Sequence, residues 1–178
     1  LVLVPEIGLT PQTLARFQQR FAAHIAVLHS GLSDAQRYRA WETARTGAAN
    51  IVIGTRSAIF TPLAKPGLII VDEEHDASFK QQDGVRYSAR DLAIWRAHQQ
   101  NCPIVLGSAT PSLESFHHAL AGRYRMLTLP LRAVAEAPPI VRTIDTRREK
   151  LQEGLSAALI DALELRLERG EQSLVFLN

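Results

Sequence analysis

The sequence predicts an α/β fold with a mostly parallel sheet, and two observations lead to this class. Short apolar runs recur along the chain, and most of them are apolar throughout instead of alternating with polar residues. Such runs are typical of parallel strands, because these strands are covered on both faces. Amphipathic segments separate the runs, and this alternation of strand and helix favours a parallel sheet. The runs comprise residues 1–4, 25–28, 51–53, 68–71, 104–106, 126–129, 140–144 and 174–177.

Helices are predicted between these runs wherever a serine or threonine can cap the segment that follows. A capping side chain accepts a hydrogen bond from a backbone N–H of the first turn, which otherwise has no partner. Proline at the first helical position, or glutamine three residues after a capping serine, strengthens the prediction. The predicted starts are Thr10 with Pro11, Ser33 with Gln36, Ser88, Thr110 with Pro111, and Ser156, and the glycines predicted to end helices are Gly47, Gly122 and Gly170.

Three large aromatic residues are predicted to belong to the core of the fold. Trp41, Trp95 and Phe116 lie within the predicted helices, at helical spacing from other apolar residues. An apolar stripe at this spacing is the face that a helix packs against its neighbours. The adjacent His117 and His118 are predicted to lie on a solvated helix face and not to form a metal site.

The pattern changes near residue 131 and indicates a domain boundary. Prolines interrupt the chain at 130, 138 and 139, and charged residues crowd together at 145–150. We expect a first unit at residues 1–130, a linker with one strand at 131–152, and the start of a second unit at 153–178. Because the chain opens and closes inside apolar runs, we also expect it to be a piece of a longer protein.

The composition is that of a globular protein with little net charge. Hydrophobic residues make up 46%, and 20 Lys and Arg against 18 Asp and Glu give a formal charge of +2. This balance neither requires nor excludes nucleic acid, so a local basic surface would have to supply affinity. Cys102 is the only cysteine, which excludes a disulfide framework and a cysteine-rich zinc site within this sequence. No run approaches the roughly 20 apolar residues that span a bilayer, and a cytoplasmic location without membrane contact is expected.

Five ionisable residues, DEEHD at 72–76, directly follow the apolar run at 68–71. In open α/β sheets, ligands bind beyond the carboxyl ends of the strands. Asp72 could hold Mg²⁺, which favours one or two carboxylates together with substrate phosphates. Glu73 could act as a general base towards an attacking water molecule. The alternative interpretation is an exposed acidic turn without a ligand.

Other sites built on carboxylates fit this segment less well. A calcium loop that begins at Asp72 would need glycine at the position that Ala77 occupies. The His-Glu-x-x-His pattern of a zinc helix does not occur in the sequence. A carboxylate pair for glycoside hydrolysis is possible in principle, but nothing nearby indicates a sugar site.

Three further stretches are expected at the ends of strands, and with DEEH they resemble motifs of known enzymes. VPEIGLTPQ, IGTRSAIF and GSATPS follow the first, third and fifth runs. In this order they resemble motifs Ia, Ib, II and III of superfamily 2 helicases. The similarity to the PriA family of bacterial replication-restart helicases is closer and covers nearly the whole chain. The stretches that carry it are HSGLSDAQRYRAW, IVIGTRSAIFTPL, DEEHDASFKQQDGVRYSARDLA, GSATPSLES, IDTRREK and LVFLN.

The resemblance implies a RecA-like P-loop NTPase lobe that lacks its P-loop strand, followed by the start of a second RecA-like lobe. It implies ATP and Mg²⁺ as cofactors, and zinc in the full-length family without ligands in this chain. In that family the phosphate-binding loop lies upstream of the first strand, and no G-x-x-x-x-G-K-[ST] pattern occurs here. We therefore expect the strand at 104–106 to be an unpaired edge. The isolated chain is expected to be unstable or self-associating, and inactive as an ATPase.

The activity implied is that of a 3′→5′ DNA helicase that couples ATP hydrolysis to unwinding in replication restart. The implied partners are single-stranded and forked DNA, primosome proteins and single-strand binding protein. One alternative is another superfamily 2 translocase, such as a RecG-like enzyme. Another is a non-catalytic module that keeps the helicase fold to bind DNA or protein, although the presence of Asp72, Glu73 and His75 argues against it.

The resemblance also assigns roles in the nucleotide site. Asp72 would coordinate Mg²⁺ with ATP, and Glu73 would position or deprotonate the hydrolytic water. His75 would join the nucleotide site to the segment that follows the strand at 104–106. The residues implied in this coupling are Glu74, Ser108, Ala109 and Thr110.

A second set of residues is implied in DNA binding. The hydroxyl groups and the arginine of Thr55, Arg56 and Ser57 suit phosphates and carry no sequence preference; alternatively, Arg56 closes a local turn. Pro5 and Glu6 would line the same groove. The segment after His75 resembles an aromatic-rich loop that senses single-stranded DNA, because aromatic rings can stack on bases and cations attract phosphates. Its implied DNA contacts are Phe79, Lys80, Tyr87 and Arg90.

Overall fold

The computed structural model describes residues 1–131, 140–148 and 151–176. The chain divides into two compact units, Leu1–Leu127 and Thr128–Asn178. In the first unit, a five-stranded sheet is made of β1 (Val2–Leu3), β2 (Ile25–Leu28), β3 (Ile51–Gly54), β4 (Ile69–Val71) and β7 (Ile104–Leu106). A small antiparallel pair is made of β5 (Lys80–Gln81) and β6 (Tyr87–Ser88). The helices of the first unit are α1 (Pro11–Arg20), α2 (Asp34–Thr46), α3 (Ala89–Gln99) and α4 (Leu113–Leu120).

The main sheet has the order β2-β3-β1-β4-β7, and all of its strand pairs are parallel. Its register aligns the carboxyl ends of the strands. Leu3 is paired with both Gly54 and Val71, and Val71 is paired with Leu106. The predicted α/β class with a mostly parallel sheet is confirmed, and the motifs that follow these strands share one edge of the sheet.

Hydrophobic residues pack on both faces of the sheet. Val2, Val4 and Ile53 face one layer, where Leu14 and Phe17 of α1 pack against them. The opposite face carries the larger cluster, whose buried members come from the strands, α2, α3 and two short 3₁₀ helices. This two-sided burial explains why the strands are apolar throughout. Members of the larger cluster include Leu3, Leu28, Val52, Ile69, Val71, Ala44, Phe79, Ala89, Ala93 and Ala97.

Most of the predicted helix caps are present. Thr10 accepts a hydrogen bond from the N–H of Thr13, and Pro11 is the first residue of α1. Ser33 and Gln36 form a reciprocal capping box at the start of α2. Ser88 caps α3, and Gly47 ends α2 in the left-handed conformation, with φ of 76°. A residue with a Cβ atom is disfavoured at that backbone angle, which is why glycine ends the helix there.

The predicted start of α4 is wrong by two residues. The side chain of Ser112 accepts a hydrogen bond from the N–H of Ser115, and the helix begins at Leu113. Thr110 and Pro111 therefore lie in the preceding loop. Ser112, two residues after Thr110, accepts a hydrogen bond from the first turn and therefore replaces Thr110 as the cap.

The three aromatic residues predicted for the core are exposed instead. Trp95 lies opposite the face of α3 that packs on the sheet, which is made of alanines spaced four residues apart. Small side chains allow α3 to lie close to the sheet, and the bulky ring is left on the outer face. Trp41 on α2 and Phe116 on α4 are also exposed. The side chain of His118 is only partly exposed, and its ring packs edge-on against Tyr124.

The second unit contains one α-helix in its described part, α5 (Ala157–Glu168), which is capped by Ser156. Gly170 follows it with φ of 69°. Residues 126–129, 140–144 and 174–176 form no strand, so the strands predicted there are wrong for the described residues. A strand needs a partner for its backbone groups, and none of these segments is paired with another. Residues 132–139 and 149–150 of the predicted linker, and 177–178, lie outside the described residues.

Among the described residues, no helix is long and apolar enough to cross a membrane. The edge position predicted for the strand at 104–106 is confirmed, because β7 is the last strand of the sheet and is paired with β4.

Candidate functional site

The acidic turn that follows β4 holds Asp72 and Glu73 at the carboxyl edge of the sheet. The N–H of Asp72 donates to the carbonyl of Leu3 at 2.9 Å, which continues the pairing with β1 beyond the strand. Glu73 then adopts a left-handed backbone conformation, with φ of 48°. A residue other than glycine stores strain in this region, and such strain is concentrated at functional sites. The N–H of Asp76 closes the turn onto the carbonyl of Glu73 at 2.8 Å.

Asp72 is exposed, and its surroundings fit a small divalent cation. Its Oδ1 accepts a hydrogen bond from the N–H of Glu73 at 3.1 Å. A Cβ atom at Gly107 would lie 3.4 Å from the same oxygen, so the absence of a side chain there leaves the carboxylate open. Within the described ranges, no group of three His, Cys, Asp or Glu residues could hold a metal alone. A Mg²⁺ ion at Asp72 would therefore need ligands from phosphate and water, which is its usual preference.

His75 connects this turn to the loop that follows β7. Its Nδ1 lies 2.7 Å from Oγ of Ser108, and its Nε2 lies 3.4 Å from Oγ1 of Thr110. The backbone N–H of Thr110 donates to Oγ of Ser108 at 3.0 Å, which fixes the loop at Thr110 to the side chain that His75 contacts. Glu73 Oε2 also lies 3.5 Å from Nδ1 of His75. The predicted contact between His75 and the Ser108–Thr110 segment is thus present, with the exposed Ala109 between its two polar residues.

The carboxylate of Glu74 is buried and receives four hydrogen bonds. The donors are the N–H of Ser112 at 2.7 Å, its hydroxyl at 3.0 Å, the hydroxyl of Ser115 at 2.9 Å and Nη1 of Arg90 at 3.1 Å. Burial raises the pKa of Glu74, but these hydrogen bonds together outweigh it and lower the pKa. Glu74 therefore remains ionised and ties the end of β4 to the first turn of α4, where a negative charge is also favourable.

Arg90 completes this cluster, and its predicted role in DNA binding is wrong for this structure. Its side chain is buried, and it donates to Glu74, to Oγ of Ser112 at 2.8 Å and to Oδ1 of Asp91 at 2.8 Å. Burial lowers the pKa of Arg90, but the hydrogen bonds and charges of Asp91 and Glu74 raise it overall. The cap at Ser88 places Arg90 in the first turn of α3, directed towards Glu74 and not towards solvent.

Phe79 is also predicted incorrectly as a DNA contact. Its ring is fully buried among the alanines of α3 and the strands of the sheet. The carboxylate of Asp76 accepts the N–H of Ser78 at 2.7 Å, which caps a short 3₁₀ turn, Ala77–Phe79. Hydrogen bonding from Ser78 lowers the pKa of Asp76. The turn directs Phe79 into the core, where its ring cannot stack on a base.

A groove of about 400 Å³ lies at the carboxyl ends of β2 and β3. Five of the residues predicted to bind DNA line it: Glu6, Thr55, Arg56, Ser57 and Tyr87. Thr55 is buried and Ser57 is exposed. Pro5 is buried and is not among the lining residues, and Lys80 lines a second cavity of about 160 Å³ with His75. The groove therefore unites most, but not all, of the predicted DNA contacts.

Arg56 has a structural partner as well as a place in the groove. Its Nη1 donates to the carbonyl oxygens of Ser78 at 3.1 Å and Lys80 at 3.2 Å. These bonds cross more than twenty residues of sequence, so Arg56 does not close a local turn. It fixes the segment after the acidic turn against the loop after β3, and its side chain remains partly exposed.

Several residues that line the groove are not among the predicted DNA contacts. They include Trp41, which the sequence places in the core, and Phe60 and Arg37. The spacing of Tyr38 and Trp41, three residues apart in a helix with no other large apolar side chain, is the indication of an exposed aromatic face.

With this geometry in place, comparison with known proteins defines the class. Residues 1–119 match the family model of the DEAD/DEAH box helicases. The chain belongs to this family, and the predicted RecA-like fold class is thereby confirmed. Over its full length the chain is 52% identical to replication restart protein PriA of Haemophilus influenzae. It is 46% identical to the PriA protein of Bacillus subtilis and 40% identical to that of Rickettsia conorii.

The chain spans about a quarter of the length of these relatives: 24% for the Haemophilus protein, 22% for the Bacillus protein and 28% for the Rickettsia protein.

Proposed function

We propose that this chain forms part of the ATP-dependent 3′→5′ motor of a PriA-type DNA helicase that acts in replication restart. The observation that carries the proposal is the contact of His75 with Ser108 and Thr110. It joins the acidic turn, where ATP chemistry is expected, to the loop after a neighbouring strand. A helicase needs such a connection because hydrolysis must change the grip on DNA.

The acidic turn supplies the groups that ATP hydrolysis requires. Asp72 would hold Mg²⁺, which neutralises charge on the phosphates. The exposed carboxylate of Glu73 would orient the attacking water and accept its proton. The strained backbone of Glu73 and its hydrogen-bonded turn fix where that carboxylate is directed.

Glu74 and His75 are proposed to transmit changes in the nucleotide site to other elements. His75 contacts the loop after β7, and Glu74 contacts the first turns of α3 and α4 through Arg90 and Ser112. A displacement of the acidic turn cannot leave these partners in place, because a buried carboxylate that loses its hydrogen bonds is costly. The coupling set therefore comprises Glu74, His75, Arg90, Ser108, Thr110 and Ser112.

The proposed substrates are single-stranded and forked DNA, bound in part along the groove. Ser57 and Arg56 offer a hydroxyl group and a cation to phosphates, and Tyr87 offers an aromatic ring. Primosome proteins and single-strand binding protein are proposed as partners of the complete protein, and its proposed location is the cytoplasm.

The general-base assignment is tested with Glu73→Gln in the intact protein. The variant should retain ATP binding and lose about 10²–10⁴-fold in ATP turnover, because glutamine cannot accept a proton. Turnover is measured with and without forked DNA, and Glu164→Gln, an exposed position on α5, is the matched control. Unchanged turnover in Glu73→Gln would refute the base assignment.

The same assay separates the alternative functions. A PriA-type motor should show turnover that forked DNA stimulates strongly. A wild-type protein that binds DNA without any ATP turnover would be a non-catalytic module. Turnover stimulated equally by duplex DNA without a fork would favour a different superfamily 2 translocase.

A further inference from the structure

Two exposed aromatic rings line the groove, and the proposed ATPase and coupling residues do not account for them. Phe60 ends the short 3₁₀ helix Arg56–Phe60 and has 60% of its surface exposed. Trp41 projects from α2 and is 39% exposed. Exposing two large rings in one groove leaves apolar surface in water, and contiguous exposed apolar surface indicates a binding site.

Neighbouring side chains hold both rings in place. Tyr87 packs edge-on against Phe60, with the ring centroids 5.0 Å apart and an angle of 70° between the planes. The nearly parallel ring of Tyr38 is 6.5 Å from that of Trp41, and the guanidinium carbon of Arg45 is 5.9 Å from the indole centroid. Rings that are already oriented lose little conformational entropy when a ligand binds.

The polar lining of the groove suits an anionic chain. Arg37 and Arg56 provide two cations, against the single carboxylate of Glu6. The guanidinium of Arg37 donates one long hydrogen bond of 3.4 Å to the carbonyl of Leu32 and forms an ion pair of 3.8 Å with the fully exposed Asp34. Exposed pairs of this kind contribute little, so a phosphate can compete for this guanidinium. Hydroxyl groups of Ser30 and Ser57 add hydrogen-bonding groups that suit phosphate oxygens.

We propose that this groove is a base-stacking subsite for single-stranded nucleic acid, in which unpaired bases stack on Phe60 and Trp41. Arg37 and Arg56 bind the adjacent phosphates. The inference rests on the proposed function, since it concerns the same DNA path, and it adds that the bases themselves are contacted. Aromatic stacking tolerates any base, so the subsite distinguishes unpaired from paired strands without reading sequence. A volume of about 400 Å³ is within the range of sites for ligands of nucleotide size.

The test uses the intact protein and compares its binding of two DNA strands that carry the same number of phosphates. Dissociation constants are measured for oligodeoxythymidylate and for an abasic strand of equal length, at one fixed salt concentration. Wild-type protein should prefer the strand with bases. Phe60→Ala and Trp41→Ala should each weaken oligodeoxythymidylate binding by about 5–150-fold, which corresponds to 1–3 kcal/mol of stacking per base. Binding of the abasic strand should change little.

Three further variants make the result specific. Phe60→Tyr keeps an aromatic face and should retain the preference for bases. Phe60→Leu keeps an apolar side chain without an aromatic face, and it should lose the preference even if the alanine variant does not fold. Trp95→Ala removes an exposed tryptophan that does not line the groove, and it should change neither dissociation constant.

Two outcomes would overturn the subsite alone. Equal weakening of both strands would mean that Phe60 and Trp41 support the groove without stacking on bases. Unchanged binding of both strands would mean that the aromatic surface contacts protein instead. In either case the wild-type protein still binds DNA, and the proposed function stands. If the wild-type protein binds neither strand, both the subsite and the proposed function fail.

Discussion

Glu74 shows how a single residue can join three elements of the site. Its carboxylate accepts hydrogen bonds from Ser112, Ser115 and Arg90, and all of these groups are buried or nearly so. In water each of these groups would be solvated, so the cluster is stable only while every donor has its acceptor. This requirement makes the position of the acidic turn depend on the first turns of α3 and α4.

We expect Glu74→Ala to loosen the start of α4. The substitution removes four hydrogen bonds and leaves the buried Arg90 with Asp91 as its remaining carboxylate partner, at a cost of about 3 kcal/mol. Hydrogen exchange of the amides at Ser112 and Ser115 in the intact protein should become roughly 100-fold faster. Glu114→Ala, which removes an exposed carboxylate from the same helix, should have a much smaller effect. Equal exchange in both variants would contradict the role given to Glu74.

The same cluster predicts a dependence on pH. The folded-state pKa of Glu74 is lowered, so its ionised form stabilises the fold above the unfolded pKa of about 4.3. This contribution is lost as the pH falls through the lower folded pKa. After correction for intrinsic exchange rates, the protection of Ser112 should therefore decrease in wild-type protein below pH of about 4. The Glu74→Ala variant should show no such decrease at this position.

At the scale of elements, the sheet positions the site by aligning the carboxyl ends of its strands. The loops after β1, β3, β4 and β7 start from paired residues, so their side chains meet at one edge. Gly54 is the tightest point of this arrangement. A Cβ atom there would lie 2.5 Å from both the carbonyl oxygen of Leu28 and Cβ of Ala58. The close approach lets the loop that begins at Thr55 fold back over the end of β2 and form the groove.

Gly54→Ala should therefore destabilise the first unit by about 1–3 kcal/mol, because backbone atoms must shift to admit the methyl group. The shift lies beside Arg56 and Ser57, so single-stranded DNA should also bind more weakly. Gly67→Ala is the matched control, since a Cβ atom there meets nothing within 4 Å. Calorimetric melting and DNA titration of both variants check the prediction, and equal behaviour of the two would contradict it.

Helices and strands could be predicted from the sequence where residues close together in the chain determine them. Caps such as Thr10, Ser33 and Ser88 act within one turn, and apolar runs select buried strands. The sequence could not show whether Phe79 and Arg90 bind DNA or are buried. An aromatic ring can stack on a base or pack in a core, and a guanidinium can bind a phosphate or a buried carboxylate. Their placement depends on the Asp76 cap and on Glu74, which are contacts of the folded chain.

Trp95 and Trp41 show that helical spacing alone does not predict whether an aromatic residue is buried. Helical spacing identifies which residues share a face of a helix, but it does not identify which face meets the sheet. In α3, the alanine face packs against the sheet because small side chains permit closer contact, and Trp95 is left outside. The exposed Trp41 lines the groove together with residues of other elements, and this arrangement is a contact of the folded chain that the pattern of one helix does not contain.

For the whole molecule, the arrangement of the sheet has a consequence at β7. This strand lies at the edge of the described sheet and is paired with β4 on one side. Val105 in its centre is 45% exposed. An exposed apolar edge strand offers backbone N–H and C=O groups to a second chain, and proteins usually protect such edges with charges or by covering them.

We therefore expect the 178-residue chain, produced alone, to self-associate through β7. Val105→Lys should shift the chain towards monomer, because lysine on an exposed edge strand disfavours edge-to-edge pairing. Val85→Lys introduces the same charge at a position that is 84% exposed and outside every strand, so it should leave the association unchanged. Light scattering coupled to size-exclusion chromatography measures the mass of each variant over a range of concentrations. If wild-type chain is monomeric at high concentration, or if both lysine variants reduce association equally, the edge of β7 is not the surface responsible.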